Sequence, residues 1–194
     1  MKLQNIITLK TVIETRRRRM LMEFVRATWE NDHEYMSIVG DLLKNEELLK
    51  LDDITHHHYT TRLVHSIFVS YVSYKITKAR GLDYVSTARA GLLHDFFLEE
   101  RDEIELLGMG SHNCAHPKIA LKNAKKLTKL NDLEKDIILK HMFLCSFKSK
   151  MPRFKESLIV SMVDKYCAIS EVSTPLRNWT KEMIARVQTS VSYS

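Results

Sequence analysis

Glycine and proline are scarce, five and three among 194 residues. The chain therefore has few of the breakers that punctuate turn-rich folds, and it lacks the alternation of valine-rich and turn-rich segments that marks an all-β protein. That scarcity points to helices. No apolar run reaches the roughly 18 residues a membrane span needs, and the opening MKLQNIITLK lacks the apolar core of a secretory signal. The expectation is a cytoplasmic protein with no membrane partner. Cys114, Cys145 and Cys167 are odd in number and nowhere spaced as CxxC, which argues against a disulfide framework and against a thiolate zinc site. They read as reduced, structural residues.

What is present suffices for one domain with a hydrophobic core. The formal charge is +6, and a positive field favours encounter with anions such as phosphates. The basic residues gather in RRRR (16–19), KNAKKLTK (122–129) and KSKMPRFK (148–155), with little aromatic interleaving. Arg16 to Arg19 read as the solvated stretch of an N-terminal helix, and nucleic acid is not the expected partner. Residues 5–50 form two or three helices, running through IETRRRRMLMEFVRATW and HEYMSIVGDLLKNEELLKL. Their apolar content leaves room for an interface between copies of the chain.

The chemistry begins after residue 56. A helix over 61–79, with Thr60 or Thr61 as its cap, aligns His65, Val69, Val72 and Ile76 and so turns His65 inward. The stretch AGLLHDFF (90–97) sits in an expected helix over 85–100, with Ala90, His94, Phe97 and Leu98 on one face and Asp95 about 100° away from His94. Residues 101–115 read as the most loop-like segment and a candidate cover for a site. A helix expected to start at His116-Pro117 aligns His116, Ala120, Ala124 and Leu127. Asn131 and Glu134 form a capping box for a helix that aligns Leu133, Ile137 and His141. The last clear helix, over 155–170, sets Asp164 among Val160, Cys167 and Ala168.

A single histidine on an apolar face is ordinarily a hydrogen-bonded core residue. Here four helices bring a His or a His-Asp pair to their apolar faces and a fifth brings an Asp. So many ionisable groups need a common counter-charge, and imidazoles with carboxylates are ligands that suit Fe, Mn, Zn or Ni.

The ordered set His65, His94-Asp95, Asp164, within the phrases RLVHSIFVSYVSYKI, ARAGLLHDFF and VSMVDKYCAI, resembles the HD superfamily of metal-dependent phosphohydrolases over roughly residues 57–170. His116 and His141 match the extra histidines of the subgroup with the pattern H, HD, H, H, D, which usually holds two metals. The resemblance implies an all-α HD-domain helical bundle. N-terminal helices over 1–55 and a C-terminal helix and tail over 176–194 would join an HD domain over 56–175 in one structural unit. It implies that His65, His94, Asp95 and Asp164 hold one ion and His116 and His141 a second, with Asp95 bridging. The ions would be divalent, Fe or Mn, with Mg, Zn, Ni and Co as alternatives.

The activity so implied is metal-dependent hydrolysis of a phosphate ester or anhydride of a small metabolite, a nucleotide or dinucleoside polyphosphate. Arg62, one turn before His65, is positioned to reach a substrate phosphate. His57 or His58 is a candidate to contact substrate or protonate a leaving group. Lys148, Lys150, Arg153 and Lys155 are candidates for a positive rim, and Lys165 for the same role or for neutralising Asp164. Many relatives continue HD as HDIGK, whereas Leu98 stands at the lysine position here, and the GYP signature is absent. Both departures set the chain apart from the cyclic-dinucleotide phosphodiesterase branch. Two alternatives stay open: a mixed-valent di-iron oxygenase of the same superfamily, and a nucleotide-sensing module without turnover.

Overall fold

The computed structural model describes residues 29–171 except 57–59, 107, 109 and 146–149, with the backbone alone at 55, 56, 60, 105, 170 and 171. Arg16 to Arg19, His57, His58, Lys148 and the segment 176–194 lie outside the described residues. Eight α-helices carry the described chain: α1 (His33–Leu43), α2 (Glu46–Leu49), α3 (Arg62–Ala79), α4 (Tyr84–Leu93), α5 (Arg101–Leu106), α6 (His112–Leu127), α7 (Asp132–Lys140) and α8 (Lys155–Glu171). The fold is all-α. Its extended structure among the described residues is one antiparallel pair, β1 (Thr55–His56) with β2 (Thr60–Thr61), just ahead of α3. No helix among the described residues is long and apolar enough to cross a membrane.

Helix α3 is the central element, buried along most of its length from Arg62 to Thr77. It starts where expected, with the Thr61 side chain accepting from the Val64 N–H at 3.2 Å. Helix α4 lies so close against it that a Cβ on Gly91 would stand 2.9 Å from the Ser70 Cα. Glycine is therefore required at this crossing, and it lets His94, one turn further on, come beside His65 with ring centroids 5.3 Å apart. At the same crossing Tyr35 of α1 is fully buried, and its hydroxyl donates to Ser70 Oγ at 2.8 Å, which in turn donates to the Ala88 carbonyl.

Two expectations about this region are corrected. The helix expected over 85–100 ends at Leu93, and residues 94–97 form a tight turn in which Phe96 N–H bonds to Leu93 O and Phe97 N–H to Asp95 O. The segment 101–115 is not mainly loop. Residues 101–106 are helical, Ile104 packs with Phe97, Ala115 and Ile119, and α6 begins at His112, a full turn ahead of His116. Pro117 sits inside α6 near its beginning, where its missing N–H costs one bond. The α7 capping box is formed as expected: Asn131 Oδ1 accepts from Glu134 N at 2.8 Å, and Glu134 Oε2 accepts from Asn131 N at 2.7 Å. Helix α8 matches its expected range, starting at Lys155.

Candidate metal centre

The candidate ligands come from five helices and the turn that follows one of them. His65 projects from α3, His94 caps the C-terminus of α4, Asp95 follows in the turn, His116 lies in α6, His141 caps α7 and Asp164 lies in α8. All six are buried, none more than 8% exposed. His65 Nε2 stands 3.1 Å and His94 Nε2 3.6 Å from Asp164 Oδ1. Asp95 Oδ2 lies 3.7 Å from His94 Nε2, while Oδ1 lies 3.4 Å from His116 Nε2 and 3.3 Å from His141 Nε2. The Asp95 carboxylate thus faces two groups at once: His65 and His94 on one side, His116 and His141 on the other.

That double role depends on the end of α4. In an unbroken helix, residues 94 and 95 would diverge by about 100°. The turn after Leu93 brings the Asp95 carboxyl back toward the His94 ring. Asn123 of α6 donates to the Phe96 carbonyl at 3.2 Å, and Arg62 Nη1 donates to the Phe97 carbonyl, so the turn is tied from two helices.

Three of the histidines share one device. Nδ1 of His94 lies 2.7 Å from Gly91 O, Nδ1 of His116 2.9 Å from His112 O, and Nδ1 of His141 2.8 Å from Ile138 O. A carbonyl only accepts, so each ring donates its Nδ1–H and presents Nε2 to the centre, the arrangement that holds a metal-ligating imidazole in its tautomer. His94 Nε2 and Asp95 Oδ1 are then buried without a hydrogen-bond partner. Each such group costs about 1–3 kcal/mol if nothing meets it, and a cation would meet both. The residues present fit a metal.

The electrostatics agree. Burial pushes Asp164 upward, but its hydrogen bond with His65 and the neighbouring His94 outweigh that and hold it far below the ordinary carboxylate range. Burial likewise opposes, and His94, His141 and His116 overcome, so that Asp95 is also held well down. His116 and His141 approach to 2.9 Å between Nε2 atoms. With both Nδ1 atoms already donating, a proton or a cation has to lie between the two lone pairs. Burial takes His116 down to about 3 against the pull of Asp95. At His141 the same burial penalty is exceeded by the Asp95 and Asp164 carboxylates, and the ring is raised.

A family model of the HD domain matches residues 62–169, more than half of the chain. The chain belongs to the HD domain family. No curated protein and no solved structure matches it. The HD match includes every residue of the cluster, and the family consists mostly of metal-dependent phosphohydrolases. The His and Asp groups of this HD domain are arranged so that they could hold metal, and the family membership suggests metal-dependent hydrolase activity.

Of the other residues singled out in the sequence, Arg62 is buried, with its guanidinium 3.7 Å over the Phe97 ring and its Nε without a hydrogen-bond partner. Burial pulls it down, while the charges of Asp95, Glu100 and Glu99 oppose. Lys165 does not face the cluster with a spare donor. Its Nζ bonds to His141 O at 2.8 Å, Ser161 O at 3.2 Å and Ser161 Oγ at 2.8 Å. The expected substrate or neutralising role of Lys165 is thereby replaced by a backbone contact, because one residue past Asp164 the helix turns the side chain toward α7. Arg153 of the expected rim is tied to Asp136 of α7 through both its backbone N–H and its Nε, whereas Lys150 and Lys155 are exposed.

Two residues beside the cluster were given no role there from the sequence. Phe97 stacks on His116 at 5.1 Å and 30°, and His112, whose carbonyl holds His116, has its ring 4.8 Å from the same imidazole. The i, i+4 spacing of His112 and His116 was visible, but only once α6 is known to begin at residue 112 does it become a contact.

Proposed function

We propose that the protein is a metal-dependent phosphohydrolase that holds two divalent ions, Fe or Mn, and cleaves a phosphate ester or anhydride of a nucleotide or dinucleoside polyphosphate. The observation that carries this reading is the Asp95 carboxylate shared between two groups of buried ligands. His65, His94, Asp95 and Asp164 would hold one ion. Asp95, His116 and His141 would hold the other with fewer protein ligands, which leaves positions for water and substrate. Two adjacent ions of this kind supply a nucleophilic hydroxide near neutral pH and stabilise charge on the phosphoryl group.

The chain's own residues then bind and orient. Arg62 is a buried cation beside Asp95 with an unused Nε–H. Its planar fork would take a phosphoryl oxygen while Nη1 keeps its hold on the Phe97 carbonyl. The burial of the six ligands keeps bulk water from competing. His58 would contact substrate or supply the leaving-group proton, and Lys148 would extend a positive rim. The chain would work in the cytoplasm, in keeping with Cys114, Cys145 and Cys167 remaining thiols.

The test is elemental analysis of protein purified without chelator and without oxygen, followed by a nucleotide panel read by phosphate release and by chromatography of the nucleotide products. Two ions per chain and turnover of at least one phosphorylated compound are expected. Metal-replete protein that hydrolyses no member of the panel would sink the hydrolase reading. Asp95, His116 and His141 form a two-His, one-carboxylate set, which also serves non-haem iron oxygenases. Oxygen uptake is therefore measured on the same samples, and uptake in the absence of phosphate release would favour the di-iron oxygenase. Nucleotide binding with neither reaction would favour the sensor.

A further inference from the structure

The His141 main-chain carbonyl is an orphan of the α7 C-terminus, one of the last carbonyls that an α-helix leaves without an intrahelical partner. Two side chains of α8 meet it: Ser161 Oγ at 2.6 Å and Lys165 Nζ at 2.8 Å. The hydrogen-bond directions close. Ser161 donates its hydroxyl proton to His141 O and accepts from Lys165 at 2.8 Å, while Lys165 also donates to Ser161 O at 3.2 Å. All three ammonium protons are thus used on protein acceptors. The site of the cation, at the negative end of the α7 dipole, is where a lysine is favoured.

His141 is consequently held at both ends, its ring by the Ile138 carbonyl of its own helix and its backbone by α8. The residue before Lys165 is Asp164, which faces His65 and His94. One turn of α8 thus touches both halves of the centre, directly through a carboxylate and indirectly through the backbone of an imidazole-bearing residue.

We propose that Lys165 and Ser161 are positioning residues for the second metal ion, setting where the His141 imidazole stands relative to Asp95 and His116. This rests on the two-ion reading above. Losing the clamp should loosen the second ion and leave the first in place, because the ligands of the first are anchored on α3, α4 and by Asp164 itself.

The experiment is a metal titration of the full chain, Mn(II) followed to two equivalents, on the wild type, Lys165→Met, Lys165→Arg and Ser161→Ala, with thermal unfolding of each metal-free variant alongside. Groups that support metal ligands typically contribute about 10–100-fold in affinity, and a loss of that size is expected for the second equivalent alone in Lys165→Met. A smaller loss is expected in Ser161→Ala, with recovery in Lys165→Arg. Equal weakening of both equivalents would assign the clamp a merely structural role and overturn the proposal, as would an unchanged second equivalent in both Lys165→Met and Ser161→Ala. If Lys165→Met does not fold, Ser161→Ala decides by the same criterion. A wild type that takes fewer than two ions overturns the two-ion reading, and this proposal with it; two ions bound with wild-type affinity in every variant overturns this proposal alone.

Discussion

The two halves of the centre are built differently. The half formed by His65, His94 and Asp164 rests on a close helix crossing of the core, where Gly91 meets Ser70, and its carboxylate already pairs with a ring at 3.1 Å. The half formed by His116 and His141 stands near a helix start and at a helix end, its two Nε2 nitrogens 2.9 Å apart. The first half is set by packing at a helix crossing, while the second brings together two ring nitrogens whose lone pairs need a cation or a proton between them. Asp95 serves both, and it does so from a turn rather than from a helix.

The comparison breaks most completely at Asp95. Asp95→Ala removes the carboxylate that faces both groups. Since supporting residues alone contribute about 10–100-fold to metal affinity, loss of this ligand should cost at least about 100-fold at both sites. Elemental analysis should find neither ion, while the far-ultraviolet dichroism remains helical. A metal-replete, active variant would falsify the shared-carboxylate arrangement.

A methyl group at Gly91 attacks the first half only. Gly91→Ala would have to push α4 from α3 at a backbone contact, and overpacking of this kind costs about 1–3 kcal/mol. Denaturant unfolding should show that loss, and the first Mn(II) equivalent should weaken more than the second. The reverse order would mean that α4 can shift without disturbing His94.

Acidity separates the halves without mutation. Asp164 and Asp95 are held below their ordinary 3.8 in the folded, metal-free chain. Their stabilisation is complete above that value and is lost as the pH falls below it. His141 is raised above 6.5, so what its proton contributes is complete below 6.5 and is lost as the pH rises through its folded value. An ion entering between His116 and His141 competes with protons for the two ring nitrogens, since metal ligands bind deprotonated. Titration with an indicator dye should therefore show proton release on the second equivalent and tighter binding of it as the pH rises across neutrality. Asp164→Asn should flatten the acid limb of unfolding and leave the proton release in place.

The smallest effect is expected far from the centre. Asn131→Ala removes the α7 cap, at a cost of about 1 kcal/mol. A thermal melt should register it, and neither metal equivalent should move. A change in the second equivalent alone would show that His141 is sensitive to α7 as a whole, rather than to its C-terminus.

Helix periodicity placed His65, His116, His141 and Asp164 on apolar faces, and every one of them is buried. The Asn131–Glu134 box and the start of α8 were legible for the same reason, since caps and spacing are local properties. The end of α4 was not legible. No glycine or proline marks it, and FFLEE continues a pattern that a helix would accept; the turn is held by Asn123 and Arg62 from other helices. Nor was α5, because the polar run RDEIEL declares its one anchor, Ile104, only against Phe97, Ala115 and Ile119.

What the residues alone determined is that histidines and an aspartate from five helices would be carried inward on amphipathic faces, since a 3.6-residue period and the cost of burying charge are written in the order of the amino acids. What the tertiary structure decided is that Asp95 leaves the helix to stand between two pairs of histidines, and that Lys165 spends its three protons on the carbonyl and side chain of its neighbours. Both outcomes depend on hydrogen-bond partners supplied by helices distant in sequence, and no local pattern encodes a partner that only packing brings near.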